Sequence, residues 1–103
     1  MNKEKEKKQK LVQKVKVKNS LGLHARPATV IARLLQQKKS GVFFTYKKEV
    51  INARSIMSVL MLAAPRNAQI LITVEGDDAQ ETLDLLVHAF ENQFGEEVIH
   101  ASR

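Results

Sequence analysis

The apolar positions along the chain follow two periods, and together they predict four strands and three helices. Val15 and Val17 alternate with the lysines at 14, 16 and 18, which is typical of a strand with one buried face. After Pro27 the apolar residues recur at helical spacing, and proline suits the first turn of a helix. The predicted strands are 11–18, 42–46, 49–52 and 69–75. The predicted helices run from Pro27 to a break at Ser40-Gly41, from Ser55 to Leu62 and from Asp78 to Phe94.

Local signals mark the ends of these elements. Ser55 is predicted to cap the second helix, and Asp78 with Glu81 three residues later resembles a capping box. Gly95 is the natural stop of the last helix. Lys47-Lys48 is predicted as a turn, although it lacks the Asn-Gly or Asp-Gly that tight hairpins prefer. The expected buried stripe of the last helix is Ala79, Leu83, Leu86, Val87, Phe90 and Phe94.

The element order β-α-β-β-α-β-α defines the fold class. Each helix has a single apolar stripe, so the economical packing is an α+β open-faced β-sandwich. In this fold a four-stranded antiparallel sheet is covered on one face by helices. The expected organisation is a flexible basic tail over 1–10, one domain over 11–97 and a C-terminal tail over 98–103.

Composition excludes several classes of protein. The 103 residues include no cysteine, so disulfide scaffolds, zinc ribbons and thiol nucleophiles are excluded. The longest apolar run, 59–64, is far below the ~20 residues that a membrane-spanning helix needs. We therefore expect a cytoplasmic protein without stable membrane association. The three histidines are scattered along the chain, so we expect neither a metal site nor a cofactor.

The net charge of +6 is confined to one end of the chain. Residues 1–18 contain eight lysines and two glutamates, whereas residues 19–103 contain nine basic and nine acidic side chains. A basic tail can attract phosphate backbones or anionic lipid, but it can equally be a solvated tail that aids solubility. Because the globular part is neutral and the tail contains no aromatic residue for base stacking, we do not expect nucleic acid as a partner.

The segment from Gly22 to Ala28 combines residues that suit phosphoryl transfer. A helix that starts just after His24 presents free backbone N–H groups and a positive dipole end, which is a ready site for an anion. Arg26 adds a fixed cationic fork that matches phosphate oxygens. Positive surroundings favour a neutral imidazole on His24, and a neutral imidazole is a competent nucleophile. The alternative is a helix-capping histidine beside a surface arginine.

The chain contains no Gly-rich phosphate loop and no evident carboxylate pair for Mg²⁺. Phosphoryl transfer depends mostly on positioning and charge stabilisation, so such a site can accept a phosphoryl group and pass it on. We do not expect this site to bind a nucleotide on its own. The sequence thus favours a carrier over an enzyme with its own turnover.

Three motifs resemble one known family. Residues 22–28 (GLHARPA) resemble the active-site signature of the bacterial histidine-containing phosphocarrier (HPr) family of the sugar phosphotransferase system. Residues 52–57 (NARSIM) are similar to the family's second motif, and residues 70–78 are similar to its last strand and the turn into its last helix. The resemblance covers about 85 residues, from Leu11 to Gly95, and it implies the same open-faced sandwich.

The resemblance implies a role for each matching residue of the first motif. The histidine matching His24 is phosphorylated on Nδ1 by Enzyme I, which draws the group from phosphoenolpyruvate. A histidine of an Enzyme IIA domain then takes the group for sugar uptake. The arginine matching Arg26 steadies the phosphoryl group. The family implies a monomeric carrier that needs no cofactor.

The resemblance also implies a regulatory serine and a docking surface. The serine matching Ser55 is phosphorylated in many bacteria by HPr kinase/phosphorylase, and a phosphate at a helix N-terminus is favoured by the dipole. Ser55 is otherwise a plain helix cap. The residues implied in partner binding are Ala25, Thr29, Ile56, Met57 and Leu60. One short helix cannot turn all of its apolar residues to solvent, so part of this surface must belong to the core.

A second function remains open beside the sugar carrier. A protein of the same fold could act through Ser55 or in a nitrogen-related branch of the pathway, as a regulatory interaction protein not coupled to sugar transport. His24 argues against a version regulated only through serine, because such a protein has no need of the nucleophile. Three segments depart from the family pattern, namely the basic tail of about ten residues, Lys47-Lys48 and 65–67.

Overall fold

A computed structural model describes residues 9–96, which form one four-stranded sheet and three α-helices. The strands are β1 (Gln9–Lys16), β2 (Gly41–Tyr46), β3 (Glu49–Asn52) and β4 (Gln69–Gly76). The helices are α1 (Ala25–Gln36), α2 (Ile56–Leu62) and α3 (Ala79–Glu91), followed by a short 3₁₀ helix, Gln93–Gly95. The predicted order of strands and helices is confirmed.

The sheet is antiparallel throughout, and its strands lie in the order β1-β4-β2-β3. Ile72 at the centre of β4 pairs with Gln13 of β1 on one side and with Phe44 of β2 on the other. Phe44 in turn pairs with Ile51 of β3. The predicted open-faced sandwich is confirmed, because the described helices cover the face of the sheet that carries Phe44 and Ile72.

The hydrophobic core lies between this face and the helices. α3 packs against β1 and β4, α1 packs against α2 and α3, and α2 packs against β3. Phe44, Phe90 and Phe94 form an edge-to-face chain, with ring centroids 5.7 and 4.8 Å apart. Such pairs contribute about 0.5–1.5 kcal/mol beyond their area. The largest other fully buried apolar residues are Val17, Ile31, Leu35, Val42, Val59, Ile70, Ile72, Val74 and Leu86.

The first strand begins and ends two residues earlier than its pattern predicts. Gln9 and Lys10, expected in the tail, pair with Gly76 and Glu75 at the end of β4. Val17 lies beyond β1 but stays buried, because its N–H donates to Ala68 and its carbonyl accepts from Asn67. The predictions of a flexible tail for 1–8 and of a C-terminal tail for 98–103 fall outside the described residues.

The ends of the long helices also differ from the prediction. α1 starts at Ala25 with His24 as its N-cap, so Pro27 is the third helical residue and still loses no hydrogen bond. α3 ends at Glu91, and Phe94 follows in a left-handed conformation with φ 55°. Phe94 remains buried, but the chain reverses there instead of continuing to Gly95 as a helix.

The capping box predicted at the start of α3 is wrong. Asp78 precedes the helix, but its carboxylate accepts hydrogen bonds from the N–H groups of Lys39 (2.8 Å) and Ser40 (3.0 Å) and from the Ser40 hydroxyl. The other expected member, Glu81, pairs with the ammonium group of Lys38 at 2.7 Å. Both acidic residues therefore tie α3 to the loop after α1.

One turn and one cap agree with the prediction. Lys47-Lys48 joins β2 to β3 as a two-residue turn, and Lys47 adopts the left-handed conformation, with φ 57°, that such a turn requires. Ser55 caps α2, and its hydroxyl oxygen accepts from the N–H of Ser58 at 3.1 Å. Between residues 9 and 96, no helix is both long and apolar enough to span a bilayer.

Candidate functional site

A tight loop between β1 and α1 sets the position of His24. Gly22 has φ 72°, which favours glycine, and a Cβ there would lie 2.4 Å from the carbonyl oxygen of Ala64. The N–H of Leu23 donates to that same oxygen at 3.0 Å, and the N–H of His24 donates to Gly22 at 3.0 Å. The loop is therefore pressed against the segment that follows α2.

His24 occupies the N-cap of α1, with extended backbone at φ −86°. Its carbonyl oxygen accepts the first helical hydrogen bond, from Ala28 at 3.0 Å. The N–H groups of Ala25 and Arg26 precede that bond and face the N-terminal end of the helix, where the dipole is positive. The Arg26 side chain is exposed on this first turn, while Pro27 is buried against the core.

The imidazole of His24 contacts Glu96, a residue 72 positions later in the sequence. Its Nε2 lies 3.0 Å from Oε2 of Glu96, and the two side chains are 32% and 16% exposed. The other carboxylate oxygen of Glu96 accepts from Nδ2 of buried Asn19 at 2.5 Å. An acidic side chain is thus in direct contact with the ring, in addition to the positive groups that the sequence analysis placed beside it.

An open depression of about 420 Å³ lies beside His24. It is lined by Leu21, Leu23, His24, Ala25, Leu60, Ala63, Ala64 and Pro65. The depression brings together His24, Ala25 and Leu60, three of the residues singled out in the sequence. Its walls are mostly apolar, so it is an extension of the exposed surface of α2 rather than a pocket for a polar metabolite.

Exposed and half-buried side chains of α2 and of the loop form an apolar surface, which we call the apolar patch: Leu21, Ile56, Met57, Leu60 and Met61. Met57 and Met61 are 65% and 76% exposed, and Leu21 is 75% exposed. Leu60 is half-buried against the core, while Val59 and Leu62 anchor the helix. The expectation that α2 divides its apolar residues between surface and core agrees with this arrangement.

Ser55 and Thr29 lie at the edges of this region. Ser55 is half-buried at the N-terminus of α2, where its oxygen is engaged by Ser58. Thr29 is exposed on α1, and its hydroxyl donates to the carbonyl of Ala25 at 2.8 Å. Thr29 is therefore accessible to a partner that docks on the first turn of α1.

Sequence reasoning missed three members of the site. Leu21 and Met61 are more exposed than the predicted docking residues Ile56 and Met57, and their exposure depends on how the loop and α2 fold. Glu96 gave no signal, because 72 positions separate it from His24.

Within residues 9–96, no cluster of three or more histidine and acidic side chains has the geometry to hold a metal ion.

These features define a class of small protein that presents one histidine at a helix N-terminus beside an exposed apolar surface. The family model described as "PTS HPr component phosphorylation site" matches residues 11–92. The phosphocarrier protein HPr of Chlamydia pneumoniae is 48% identical over 80 residues, which is 78% of this chain and 74% of that protein.

Solved structures agree with this match. HPr of Thermoanaerobacter tengcongensis superposes with a TM-score of 0.81 at 32% identity, covering 85% of this chain and 99% of that one. A structure described as an HPr dimer from the same organism has a TM-score of 0.67 at 33% identity, covering 80% and 94% of the two chains. The chain belongs to the HPr family of phosphocarrier proteins of the phosphotransferase system.

Proposed function

We propose that this chain carries a phosphoryl group on His24, which it accepts from phosphorylated Enzyme I and passes to an Enzyme IIA domain for sugar uptake. The observation that carries the proposal is the position of the partly exposed His24 imidazole at the N-terminus of α1, inside the matched family segment. The phosphoryl group originates from phosphoenolpyruvate. The chain is then a substrate of one enzyme and a donor to the next, with no turnover of its own.

The first turn of α1 supplies the charge stabilisation that the transfer needs. The N–H groups of Ala25 and Arg26 and the positive end of the dipole face the place where a phosphoryl group on His24 would lie. The exposed Arg26 guanidinium is free to turn toward the phosphoryl oxygens as a fork. Together these groups offset negative charge during both transfers.

The apolar patch is the proposed docking surface for Enzyme I and Enzyme IIA. Exposed methionines adapt to more than one partner, because the side chain is flexible and polarisable. Ala25 and Thr29 on the first turns of α1 extend the surface around His24. A carrier must leave each partner quickly, and a small apolar surface of this kind suits a transient complex. We expect a cytoplasmic monomer with no nucleic-acid partner.

Ser55 is the proposed regulatory site, with HPr kinase/phosphorylase as the partner. Ser55 is the N-cap of α2, the helix that carries Met57 and Met61. A phosphate on its hydroxyl therefore adds charge beside the apolar patch. The added charge opposes docking of Enzyme I. A Ser55→Asp variant should be phosphorylated more slowly on His24, whereas an unchanged rate would count against this role.

The proposal is tested by intact mass spectrometry after incubation with Enzyme I and phosphoenolpyruvate. The native protein should gain one acid-labile phosphoryl group, and His24→Ala should gain none. His88→Ala is the matched control, because the His88 side chain is exposed on α3 and contacts Asn92 instead of the site. The proposal fails if the native protein gains nothing while another HPr in the same assay is phosphorylated, or if His24→Ala still gains the group.

A further inference from the structure

We propose that Glu96 is a positioning residue that fixes the His24 imidazole with its proton on Nε2, so that Nδ1 carries the free electron pair. The consequence for phosphoryl transfer rests on the proposed function, whereas the position of the proton is a property of the protein alone. The two parts can therefore be tested separately.

The hydrogen bonds around Glu96 determine where the proton lies. An ionised carboxylate only accepts hydrogen bonds, so Nε2, at 3.0 Å from Oε2, must donate. Oε1 is occupied by the Nδ2–H of Asn19 at 2.5 Å, which means that both carboxylate oxygens act as acceptors. A neutral imidazole with its proton on Nε2 presents a lone pair at Nδ1.

The fold holds Glu96 in place from two sides. The Asn19 side chain is buried, and its Nδ2 also donates to the carbonyl oxygen of Gln93 at 2.9 Å. Gln93, Phe94 and Gly95 all have positive φ (60°, 55° and 80°), which turns the chain back toward α1 after α3. Phe94 anchors this reversal by packing against Phe90. Glu96 itself is 16% exposed, so water competes weakly for its carboxylate.

The proton position matters because of the electron balance of the transfer. The Nδ1 lone pair attacks phosphorus, the new P–N bond forms, and the P–N bond to the donor histidine breaks, with its electron pair returning to the donor nitrogen. No proton has to leave Nδ1. The phosphorylated ring keeps its Nε2–H and becomes an imidazolium, and its positive charge then faces the Glu96 carboxylate. With the opposite tautomer, Nδ1 would carry the proton and could not attack.

The tautomer can be measured by long-range ¹H–¹⁵N NMR of the unphosphorylated protein at a pH where His24 is neutral. In the native protein we expect almost only the Nε2–H form. In Glu96→Ala the Nδ1–H form should rise several-fold. In Glu96→Gln it should rise as well, because an amide oxygen that accepts from Asn19 leaves an NH₂ group facing Nε2. Glu91→Gln, an exposed change on α3, is the matched control and should match the native protein.

A second readout is the rate of phosphorylation by phosphorylated Enzyme I. Loss of the Glu96 carboxylate should lower kcat about tenfold with little change in KM. Removing the hydrogen-bond partner of a metal-ligating histidine lowers activity by about 10- to 100-fold, and we expect the low end of that range here. The inference is overturned if the native ring shows the tautomer mixture of free histidine, or if the two Glu96 variants match the control. The NMR spectra need no Enzyme I, so a failure of the proposed function does not change them. Amide spectra of both variants verify that they are folded.

Discussion

The backbone N–H of Leu23 donates to the carbonyl oxygen of Ala64 at 3.0 Å, and this bond joins the loop before the candidate histidine to the end of α2. On one side of the bond, the loop leads directly into His24. On the other side, α2 carries Met57 and Met61 of the apolar patch. His24 and the apolar patch are therefore held in one fixed relationship, which the proposed function requires if each partner is to contact both at once.

Gly22→Ala should break this relationship. The added Cβ would lie 2.4 Å from the Ala64 oxygen at a residue with φ 72°, so both contact and backbone oppose it. We expect a loss of at least about 2 kcal/mol in the free energy of unfolding, from strain at positive φ together with overpacking. Phosphorylation by Enzyme I should also slow.

Urea denaturation measures the loss, with Gly41→Ala as the control. A Cβ at Gly41 would meet only ordinary contacts, the nearest being 3.5 Å away on the Phe43 ring. A stability of Gly22→Ala equal to that of the control would show that the loop tolerates displacement.

Arg54→Ala should destabilise the fold without changing the surroundings of His24. The guanidinium donates to the carbonyl oxygens of Leu35 at 2.9 Å and Ser40 at 2.9 Å, and also to Lys38, so it satisfies the C-terminal end of α1. We expect a loss of about 1.5–3 kcal/mol, since hydrogen bonds from a charged donor are lost together. Arg54→Lys should recover only part, because an ammonium group cannot reproduce the fork.

Arg33→Ala, an exposed change on α1, is the control for Arg54 and should be near neutral in thermal or urea unfolding. Equal stabilities of Arg33→Ala and Arg54→Ala would contradict the capping role. Within the motif at residues 52–57, Arg54 thus stabilises the scaffold and Ser55 caps α2.

Asp78→Asn should change how stability depends on pH. The Ser40 hydroxyl, followed by the Lys39 N–H, holds the pKa of Asp78 down at about 2, from an ordinary value of 3.8. A lowered folded pKa means that the carboxylate stabilises the fold above pH 3.8, and that this stabilisation disappears as the pH falls toward 2. Because Asp78 is partly exposed, we expect only about 1 kcal/mol at neutral pH.

Urea titrations from pH 7 to pH 2 test the Asp78 prediction. The native protein should be the more stable at pH 7, and the two curves should converge as the medium becomes acidic. Asp77→Asn, an exposed neighbour, should follow the native curve. A constant difference between native protein and Asp78→Asn at all pH values would mean that the carboxylate charge is not responsible.

Met57→Ala and Met61→Ala should weaken docking while leaving the fold intact. Both side chains are largely exposed, at 65% and 76%, so removing them should change the free energy of unfolding by less than about 0.5 kcal/mol. The KM of Enzyme I for the carrier should rise several-fold, with a smaller change in kcat. Val50→Ala is a matched control, because Val50 is equally exposed (63%) on β3. Similar KM values for all three variants would exclude the apolar patch as the docking surface.

Much of the scaffold could be predicted because its signals are local. The alternation around Val15, the helical spacing after Pro27 and the Ser55 cap each depend on neighbouring residues, and the strands and helices they predict are present. Errors of two residues at β1 arise because pairing with β4, rather than the strand's own pattern, determines where it ends.

The parts that could not be predicted depend on contacts between distant residues. Asp78 was predicted to cap its own helix. Its carboxylate instead accepts hydrogen bonds from three donors of the loop after α1, namely the N–H groups of Lys39 and Ser40 and the Ser40 hydroxyl. Phe94 continued the apolar stripe of α3, yet the chain reverses there, with non-glycine residues at positive φ, to bury the ring and deliver Glu96 to His24. No pattern in the sequence predicts this reversal of the chain. The histidine could thus be found from its motif, whereas its acidic partner needed the structure.

The central claim, that His24 carries a phosphoryl group between two partners, is tested most directly by a two-step relay. The protein is phosphorylated with Enzyme I and phosphoenolpyruvate, purified away from both, and mixed with an Enzyme IIA domain from the same cell. The account predicts that one acid-labile phosphoryl group per chain leaves His24 and appears on Enzyme IIA without any added energy source, and that His24→Ala delivers none. A group that forms on another residue, or that stays on His24 until it hydrolyses while Enzyme IIA remains unmodified, would contradict the carrier role.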